Sequence, residues 1–411
     1  MQVNGIIAEY NPFHNGHKYH IDTARKQTGA DYTVIVMSGS FTQRGIPAIL
    51  DKYTRAEMAL QSGADLVLEL PSYYAAASAE YFASGAVALL DQLGIVTHLC
   101  FGSECGDITV MKHLAGLLLK EPPTYAESLR SYLRQGISYP TARAKALMDY
   151  EPSVCNHGDI LSSPNNILGI EYLKALQQRS SSIIPCTTLR AGADYHDIRL
   201  LGSHCSADAI RHAIREGCDT AGLRNSMPEN AYQIMLRALN EIRPVFPNDF
   251  SSVLLYKLLS EQEQGYEQYL DVSSDLSDRI RKHLQDYVNY ESFCNILKRK
   301  ETTYTRISRC LLHILLNMKE TTMQHYREMD YTPYARVLGF RKESIPLLTA
   351  IKENTSIPLI TKLADADKLL NDKAYAMLKE ELQINQVYQC VVATRNAYPM
   401  KNELSTPVVI I

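Results

Sequence analysis

"VNGIIAEYNPFHNGHKYH", residues 3–20, joins a short apolar run to a stretch rich in hydrogen-bonding side chains. The apolar run predicts a buried strand over residues 3–10, and residues 17–29 have the spacing of an amphipathic helix that ends at Gly29. Three histidines and two asparagines lie between positions 9 and 20. So many polar groups where a strand turns into a helix indicate a ligand rather than packing alone.

The next hundred residues repeat this alternation of strand and helix. Further strands are predicted at residues 31–39, 65–71 and 96–104, with helices at 52–64 and 78–94. This order predicts an α/β fold with a Rossmann-like parallel sheet and helices on both of its faces. Because ligands of such sheets bind beyond the carboxyl ends of the strands, residues 9–20 are predicted to lie at a binding site.

Composition limits the possible classes of protein. The 411 residues can form two or three domains, and the formal net charge of -3 means that a polyanion must meet a local basic patch. No apolar window approaches the length of a membrane span, and no secretory signal is present, so a cytoplasmic protein without membrane contact is expected. The cysteines are scattered, form no CxxC pair and are predicted to be free thiols with no metal: Cys100, Cys105, Cys155, Cys186, Cys205, Cys218, Cys294, Cys310 and Cys390.

The sequence His14-Asn15-Gly16-His17 has the form H-x-G-H. With 12 histidines and 20 glycines in the chain, this form is expected by chance about 0.02 times. Gly16 is predicted to leave room for a base or ribose, and the helix N-terminus and two imidazoles can donate to phosphate oxygens. Donors aimed at departing pyrophosphate are what adenylyl transfer requires. The alternative is a helix cap and a surface histidine.

A second phosphate contact is predicted from "HCSADAIRHAIREG", residues 204–217. Ser206 suits a helix N-cap, and Arg211 lies one turn into the helix, where its guanidinium can bind phosphate oxygens. A capped surface helix is the alternative, because the S-x-x-x-x-R spacing is not specific by itself.

Several longer motifs occur in a fixed order: "EYNPFHNGHKYH" (9–20), "MSGSFTQRG" (37–45), "GADLVLELP" (63–71), "FGSE" (101–104), "SPNNILGIEYLKAL" (163–176) and "LRAGADYHD" (189–197). Together they resemble the bacterial tRNA(Met) cytidine acetate ligase family, a branch of the HIGH-motif nucleotidyltransferases. The resemblance is dense over residues 1–215 and thinner beyond, where "TYTRISRCLLHILL" (303–316) is the most similar stretch. It implies that ATP and acetate form acetyl-adenylate, whose acetyl group passes to the wobble cytidine of elongator tRNA(Met) as N(4)-acetylcytidine.

The same resemblance implies the site. His14 and His17 are the expected catalytic residues, and Gly102, Asn165 and Arg190 are expected to complete the ATP site with Arg211. At position 208 the family pattern leads us to expect an uncharged residue, whereas this chain has Asp208, a carboxylate that is unfavourable beside phosphates unless it faces away. The first ATP-binding segment consists of Ile7, Ala8, Glu9, Tyr10, Asn11, Pro12, Phe13, His14, Asn15, Gly16, His17, Lys18, Tyr19 and His20.

Each of these positions also has a physical interpretation. Gly102 ends a predicted strand and lets the backbone approach a ligand, although a simple turn is the alternative. One of Asn165 and Asn166 is predicted to cap a helix, leaving the other for a ribose or base edge. Arg190 suits an α-phosphate or an acetyl-adenylate oxygen, with a salt bridge as the alternative. The loop at 38–45 is predicted to hold acetate through backbone N–H groups, with Arg44 nearby.

The chain is predicted to divide into a nucleotide region, residues 1–220, and a mainly α-helical C-terminal region, residues 221–411, that binds tRNA. Residues 279–309 carry eight basic and three acidic side chains, and three tyrosines at 287, 290 and 304 are interleaved with them. These basic residues can hold phosphates while the tyrosines stack on unpaired bases, but a solvated helix face is the alternative. This basic stripe consists of Arg279, Arg281, Lys282, Lys298, Arg299, Lys300, Arg306 and Arg309.

Two classes of enzyme remain open from the sequence alone. The first is an acetate-activating ligase that uses ATP, with Mg²⁺ carried on the nucleotide phosphates, and that contacts the anticodon region of tRNA(Met) without an obligatory protein partner. The second is a small-molecule adenylyltransferase of the pantetheine-phosphate or nicotinamide-mononucleotide type. About 190 residues beyond a nucleotide domain favour the first class. A non-catalytic RNA-binding protein is a third, weaker alternative.

Overall fold

The computed structural model describes residues 1–152, 160–161, 163–190, 205–218 and 220–411. The expectations for Cys155, for His204 and for the motif at 189–197 beyond Arg190 therefore lie outside the described residues. The eight described cysteines are free thiols, as predicted. In the part of the chain that the structure describes, no helix combines the length and the apolar character that a membrane span requires.

The described residues form eight strands and eighteen α-helices. The strands are β1 (Val3–Ala8), β2 (Tyr32–Ser38), β3 (Leu66–Leu70), β4 (His98–Ser103), β5 (Ile184–Leu189), β6 (Ala335–Phe340), β7 (Leu359–Ile360) and β8 (Val409–Ile410). The helices of the nucleotide region are α1 (Asn15–Thr28), α2 (Lys52–Gln61), α3 (Ser72–Ala75), α4 (Ala79–Gln92), α5 (Ile108–Lys120), α6 (Pro123–Arg134), α7 (Tyr139–Tyr150), α8 (Pro164–Gln178) and α9 (Ala207–Arg215). Those of the C-terminal region are α10 (Glu229–Glu241), α11 (Ser251–Ser260), α12 (Ser274–His283), α13 (Tyr290–Leu297), α14 (Tyr304–Leu315), α15 (Glu320–Glu328), α16 (Ile345–Asn354), α17 (Ala366–Leu369) and α18 (Asp372–Asn396).

The sheet has the strand order β5-β4-β1-β2-β3-β6-β7, and β8 pairs with β6. The strands β1 to β5 are mutually parallel. The chain runs from β1 outward through β2 to β3, and then returns to the other side of β1 for β4 and β5. The direction of winding therefore reverses between β1 and β4, which is where open α/β sheets bind ligands. The Rossmann-like parallel sheet predicted from the sequence is confirmed.

Alternating side chains of the central strands pack into two apolar layers, one on each face of the sheet. In β2, Val34 and Val36 pack in one layer with α4 and α5, whereas Ile35 and Met37 pack in the other with α1 and α2. Successive residues of a strand point to opposite faces, so a strand that is covered by helices on both sides is apolar throughout. This is why residues 34–37 of β2 and 66–68 of β3 are apolar without interruption.

The C-terminal region is mainly helical, but its strand β6 joins the sheet. β6 runs antiparallel to β3, with Leu66 opposite Phe340 and Val67 opposite Gly339. A buried group of ion pairs lies beside this pairing, in which Lys52 contacts Glu69 (2.6 Å) and Arg336 contacts Glu69 (2.7 Å). The sequence analysis found few strand signals after residue 220, because a six-residue strand has no distinctive period and its partner lies some 270 residues earlier. The division at residue 220 stays a prediction.

Candidate nucleotide-binding site

A cavity of about 230 Å³ lies at the carboxyl edge of β1, β4 and β5. We call it the nucleotide cavity. It is lined by the turn after β1, the start of α1, the end of β4, the first turns of α8 and the start of α9. Twelve of the residues predicted from the sequence line it: Ile7, Ala8, Glu9, Tyr10, Asn11, His14, His17, His20, Gly102, Asn165, Arg190 and Arg211.

The two histidines of the H-x-G-H motif form a reciprocal cap at the start of α1. The Gly16 N–H donates to Nδ1 of His14 (3.0 Å), and the His14 N–H donates to Nδ1 of His17 (3.2 Å). Because Nδ1 of each ring accepts a backbone hydrogen bond, the proton of each neutral imidazole must be on Nε2. Both rings line the cavity, so the motif supplies two Nε2–H donors whose tautomers are set by the helix cap.

Gly16 has a different role from the one predicted. The imidazoles of His14 and His17 lie with their ring centroids 3.7 Å apart and their planes 31° apart. A Cβ at position 16 would lie 2.8 Å from His14 Cε1 and 3.0 Å from His14 Nδ1. The space beside Gly16 is therefore taken by the His14 ring and not by a base or ribose. Gly16 is required because the cap brings an imidazole against the backbone at that position.

The three histidines of the cavity are kept neutral by their surroundings. Burial, together with the charges of Arg190 and Arg211, lowers the pKa of His14 to about 3. Burial also lowers the pKa of His17 well below its usual value, followed by the effects of His14, Arg190 and His20. The pKa of His20 falls to about 4 for the same reasons, burial first and Arg190 second. At neutral pH these rings act as hydrogen-bond donors and acceptors, while the positive charge comes from arginine.

Six residues of the predicted ATP segment do not line the cavity: Pro12, Phe13, Asn15, Gly16, Lys18 and Tyr19. Phe13 is fully buried with its ring centroid 4.8 Å from that of Tyr10, and the Asn15 amide donates to the Asn225 carbonyl (2.8 Å). Lys18 pairs with Asp22 along the exposed side of α1. Phe13 and Asn15 are thus engaged by other parts of the protein, and the contact of these six residues with ATP stays a prediction.

The N-terminus of α8 is capped by a glutamate and not by an asparagine. Glu104 accepts hydrogen bonds from the Asn166 N–H (2.8 Å), the Asn165 N–H (3.3 Å) and the Asn165 Nδ2 (2.6 Å). Asn166 is buried, and its Oδ1 accepts from the N–H groups of Glu104 and Cys105. The prediction that one asparagine caps this helix is therefore wrong. A carboxylate is the stronger acceptor at the positive end of a helix, and β4 delivers Glu104 to that point.

Arg190 lies against the end of β4. Its side chain passes over Gly102, where a Cβ would lie 3.2 Å from Arg190 Cγ. Its Nη1 is 3.4 Å from Asn165 Oδ1. Gly102 thus allows Arg190 to cross the strand end and reach the cavity, in addition to the close ligand approach predicted from the sequence.

Asp208 does not face away from the cavity. Its carboxylate accepts from Arg44 Nη1 (2.7 Å) and also forms an ion pair with Arg211, which lies one turn further along α9. Arg211 in turn donates to the Asn11 carbonyl and therefore stays beside the turn after β1. The carboxylate is therefore not an unpaired negative charge at the edge of the cavity, because it pairs with two arginines, and phosphate binding by Arg211 stays a prediction.

The sequence analysis missed the apolar wall of the cavity. Leu168 and Tyr172 of α8 line it, and so does Phe101 of β4. Leu168 and Tyr172 follow Asn165 at three and seven positions, which is one face of a helix, so helical spacing was the available signal. Two polar atoms in the lining, Tyr10 Oη and His20 Nε2, are buried without a hydrogen-bond partner in the described part of the chain. Such atoms suit a ligand with an apolar ring and polar edges.

The 38–45 loop is already hydrogen-bonded at part of its backbone. The Gly45 N–H donates to the Thr42 carbonyl (2.9 Å), and the Gln43 N–H donates to Oε1 of Glu9 (2.8 Å). These N–H groups are not free to bind an anion unless the loop rearranges. Acetate binding by the loop remains a prediction. The structure supports only the location of the loop beside the cavity, because Gln43 and Arg44 line it.

Metal ligands are sparse in the described residues. No group of three or more histidine, cysteine, aspartate or glutamate side chains is placed to hold a metal ion there. Of the two carboxylates that line the cavity, Glu9 accepts from a backbone N–H and Asp208 pairs with arginines. Both of these carboxylates are therefore already engaged by protein groups, and the Mg²⁺ that the sequence analysis expects on the nucleotide phosphates stays a prediction.

The basic stripe is less exposed than its sequence indicates. Arg279 is buried, where it donates to the Leu297 carbonyl (2.6 Å) and pairs with Asp275. Tyr290 is also buried and donates to the Ser308 carbonyl (2.7 Å), so it cannot stack on a base. The count over residues 279–309 also leaves out Asp275 and Asp278, which pair with cations of the stripe. Six exposed cations remain: Arg281, Lys282, Lys298, Arg299, Lys300 and Arg306.

Comparisons with known proteins agree with this geometry. Residues 1–403 match the family model described as HIGH Nucleotidyl Transferase. The chain is 42% identical over 395 residues to the tRNA(Met) cytidine acetate ligase of Acetivibrio thermocellus, covering 94% of each protein. It is 40% identical over 391 residues to that of Clostridium novyi, covering 95% of this chain and 96% of the relative. Two crystal structures of Thermotoga maritima TmcAL match all of both chains at 32% identity, the apo form I with a TM-score of 0.92 and the complex with alpha-thio ATP with 0.90.

Proposed function

The chain belongs to the HIGH nucleotidyl transferase family, and from this premise we propose that it is a tRNA(Met) cytidine acetate ligase. In the proposed reaction an oxygen of acetate attacks the α-phosphorus of ATP, and the bond to pyrophosphate breaks. The resulting acetyl-adenylate then passes its acetyl group to the wobble cytidine of elongator tRNA(Met), giving N(4)-acetylcytidine and AMP.

The observation that carries the proposal is the paired histidine cap at the start of α1. Its two Nε2–H groups and the guanidinium groups of Arg190 and Arg211 line one cavity at the switch point of the sheet. Phosphoryl chemistry of this kind needs donors and charge aimed at the transferring and departing phosphates, and it needs no protein nucleophile. Neutral imidazoles are well suited here, because they donate to phosphate without repelling the adjacent arginines.

Each residue has a role in this proposal. His14 and His17 bind phosphate oxygens and stabilise the charge that develops on pyrophosphate, and Arg211 reinforces them from the start of α9. Arg190 binds the α-phosphate or the acyl-adenylate oxygen. The apolar wall of Phe101, Leu168 and Tyr172 receives the adenine ring, which leaves the polar edges of the nucleotide to partners such as Asn165.

Mg²⁺ is proposed to enter with the nucleotide. The two carboxylates of the cavity are already paired, so the described residues fit a cation that is held mainly by phosphate and water. When bound, it would neutralise part of the phosphate charge. Acetate, the anticodon region of tRNA(Met) and the absence of an obligatory protein partner are likewise parts of the proposal.

The small-molecule adenylyltransferase is the weaker alternative. The relatives are tRNA-acting ligases, and the similarity extends through the C-terminal region, which an enzyme with a small-molecule substrate would not need.

Mass analysis of tRNA(Met) incubated with the protein, ATP and isotope-labelled acetate tests the proposal. We expect a labelled acetyl group on one cytidine of the anticodon and release of pyrophosphate and AMP. Omission of ATP is the control. Unlabelled tRNA together with adenylylation of a phosphate-bearing small molecule would establish the alternative function instead.

A further inference from the structure

A second cavity, of about 320 Å³, lies beside the nucleotide cavity. The two share three lining residues, Arg44, Asp208 and Arg211, which form a polar wall common to both cavities. A molecule in the second cavity can therefore approach an activated group in the first without crossing the bulk of the protein. A cavity of this volume is within the range of small-molecule sites.

The remaining walls of this second cavity come from both regions of the chain. α9 contributes Arg215, and the segment before α11 contributes Phe246. α13 contributes Glu291, and α14 contributes Tyr304 and Thr305. Arg215 pairs with Glu291, and its guanidinium lies 5.5 Å from the Phe246 ring centroid. The lining thus combines aromatic rings, arginines and carboxylates, which is the chemistry that recognises a nucleobase and its phosphate.

We propose that the second cavity binds the base of the cytidine that is to be acetylated. This inference rests on the proposed function and adds the place where the acceptor nucleotide is held. A cytidine in an anticodon loop must leave its stack to react, and its ring then needs an aromatic or guanidinium surface. Because Arg215 covers one face of Phe246, Tyr304 is the ring that the structure assigns to stack on the base.

The shared wall explains why a cytidine is accepted there. Asp208 is the carboxylate of this wall, and each of its oxygens retains a lone pair after pairing with one arginine. The exocyclic amine of cytosine is a donor and matches this acceptor, whereas the O4 atom of uracil would face it with a second acceptor. A base held by this contact directs N4 towards the nucleotide cavity, where the acetyl group is formed.

In the proposed transfer step, the exocyclic amine of the cytidine attacks the acetyl group of acetyl-adenylate. A bond forms between N4 and the acetyl carbonyl carbon, and the bond between that carbon and the adenylate oxygen breaks. AMP leaves with the electron pair of the broken bond. One N4 proton is lost to a carboxylate or to water. Asp208 is thus a positioning residue for the amine, since it is held between Arg44 and Arg211 at the wall where the two reactants meet.

Substitution of Tyr304 tests the proposal, because this residue lines the second cavity and not the first. In Tyr304→Ala the rate of acetyl transfer to tRNA should fall roughly tenfold to a hundredfold, the usual effect of removing one base-stacking ring. Pyrophosphate release from ATP and acetate without tRNA should equal that of the parent. Tyr304→Phe keeps the ring and should keep most of the transfer rate. Tyr256→Ala, a change at a tyrosine that is 74% exposed on α11, is the matched control.

A second variant distinguishes an effect on the cavity from a loss of folding. Thr305→Trp should block the cavity without removing Tyr304, and it too should lower transfer while sparing pyrophosphate release. Thermal unfolding of each variant is measured beside the parent. Normal transfer by both Tyr304→Ala and Thr305→Trp would overturn the assignment of the cytidine pocket only. Failure of the parent protein to acetylate tRNA would overturn the proposed function, and with it this inference.

Discussion

At the scale of single residues, each histidine of the H-x-G-H motif uses Nδ1 for the helix cap, and in the proposed function its Nε2–H contacts the ligand. Nδ1 of each ring accepts a backbone N–H at the start of α1, which leaves Nε2–H as the donor of each ring, and both residues line the cavity. Burial and the neighbouring arginines keep both rings neutral. The motif therefore forms a helix cap and also lines the cavity, so the cap does not exclude the phosphate contact that we propose.

We expect His14→Ala and His17→Ala each to lower acetyl-adenylate formation by about two to three orders of magnitude, the usual loss for one charge-stabilising donor. The measurement is acetate-dependent pyrophosphate release at saturating ATP. His113→Ala is the matched control, because His113 is an exposed histidine of α5 paired with Glu151. Loss of the cap costs about 1 kcal/mol, so thermal unfolding must be followed in parallel. Near-normal release by both variants would remove the histidines from the mechanism.

At the scale of secondary-structure elements, the basic stripe is divided between packing and solvent. Arg279 is directed into the packing of α12 against α13, while the segment between α13 and α14 presents Lys298, Arg299 and Lys300 to solvent. Arg299 also pairs with Asp275 (3.2 Å), and an exposed pair of this kind is weak. The three exposed cations lie just before α14, whose first residue Tyr304 borders the second cavity, so they are placed to contact phosphates next to a bound base.

The triple substitution Lys298→Ala, Arg299→Ala and Lys300→Ala should weaken tRNA binding and spare pyrophosphate release from ATP and acetate. The reason is that acetate activation occurs at the edge of the sheet and needs no RNA. The salt dependence of tRNA binding should flatten by about 0.7 to 0.9 for each phosphate that the variant no longer neutralises. Lys362→Ala with Lys368→Ala, two exposed lysines elsewhere in the C-terminal region, is the control. Unaltered binding and acetylation at physiological salt would make the stripe a solvated helix face.

At the scale of the whole molecule, the two regions share their cores and a buried set of charges. Glu69 of the nucleotide region pairs both with Lys52 and with Arg336 of β6, and Arg336 also pairs with Glu403 (2.6 Å). Glu381 of α18 accepts hydrogen bonds from the N–H and the hydroxyl of Ser72 (2.7 Å each). Burial, followed by the charge of Glu69, raises the pKa of the Glu381 carboxyl to about 7.

The free energy of unfolding should therefore depend on pH through Glu381. The folded protein binds this proton more tightly than the unfolded chain does, so the stabilisation is complete below about pH 4.5 and is lost as the pH rises through 7. Glu381→Gln lacks the ionisation, and its stability relative to the parent should increase by on the order of 1 kcal/mol between pH 5 and pH 8. Denaturant titrations at several pH values measure it, with the exposed Glu353→Gln as control. A pH-independent difference would show that Glu381 titrates normally.

The first half of the sheet and the position of the H-x-G-H motif could be predicted from the sequence for local reasons, whereas Gly102, Asn165 and Arg190 were expected from the family resemblance. β1 and α1 are adjacent in the chain, and the H-x-G-H motif spans their junction, so its place at a strand end follows from the order of residues. Gly102 and Arg190 could be placed at the same edge because parallel strands bring their carboxyl ends together. The helical spacing of Leu168 and Tyr172 from Asn165 indicates that they face the same cavity, but the sequence analysis did not predict them as lining residues.

Other features were decided only by the tertiary structure, because they depend on residues that are far apart in the chain. The pairing of β6 with β3 and the cap that Glu104 places on α8 join segments whose separation leaves no periodic signal. The same holds for Asp208. Its charge would be unfavourable beside phosphates without the ion pair to Arg44, which lies 164 positions earlier in the chain. The sequence by itself thus determined the alternation of strands and helices in the nucleotide region and the chemistry at the sheet edge, since both follow from local pattern. Folding alone decided how charges are paired and where the second cavity opens, since the free energy of a charge depends on the neighbours that distant segments bring to it.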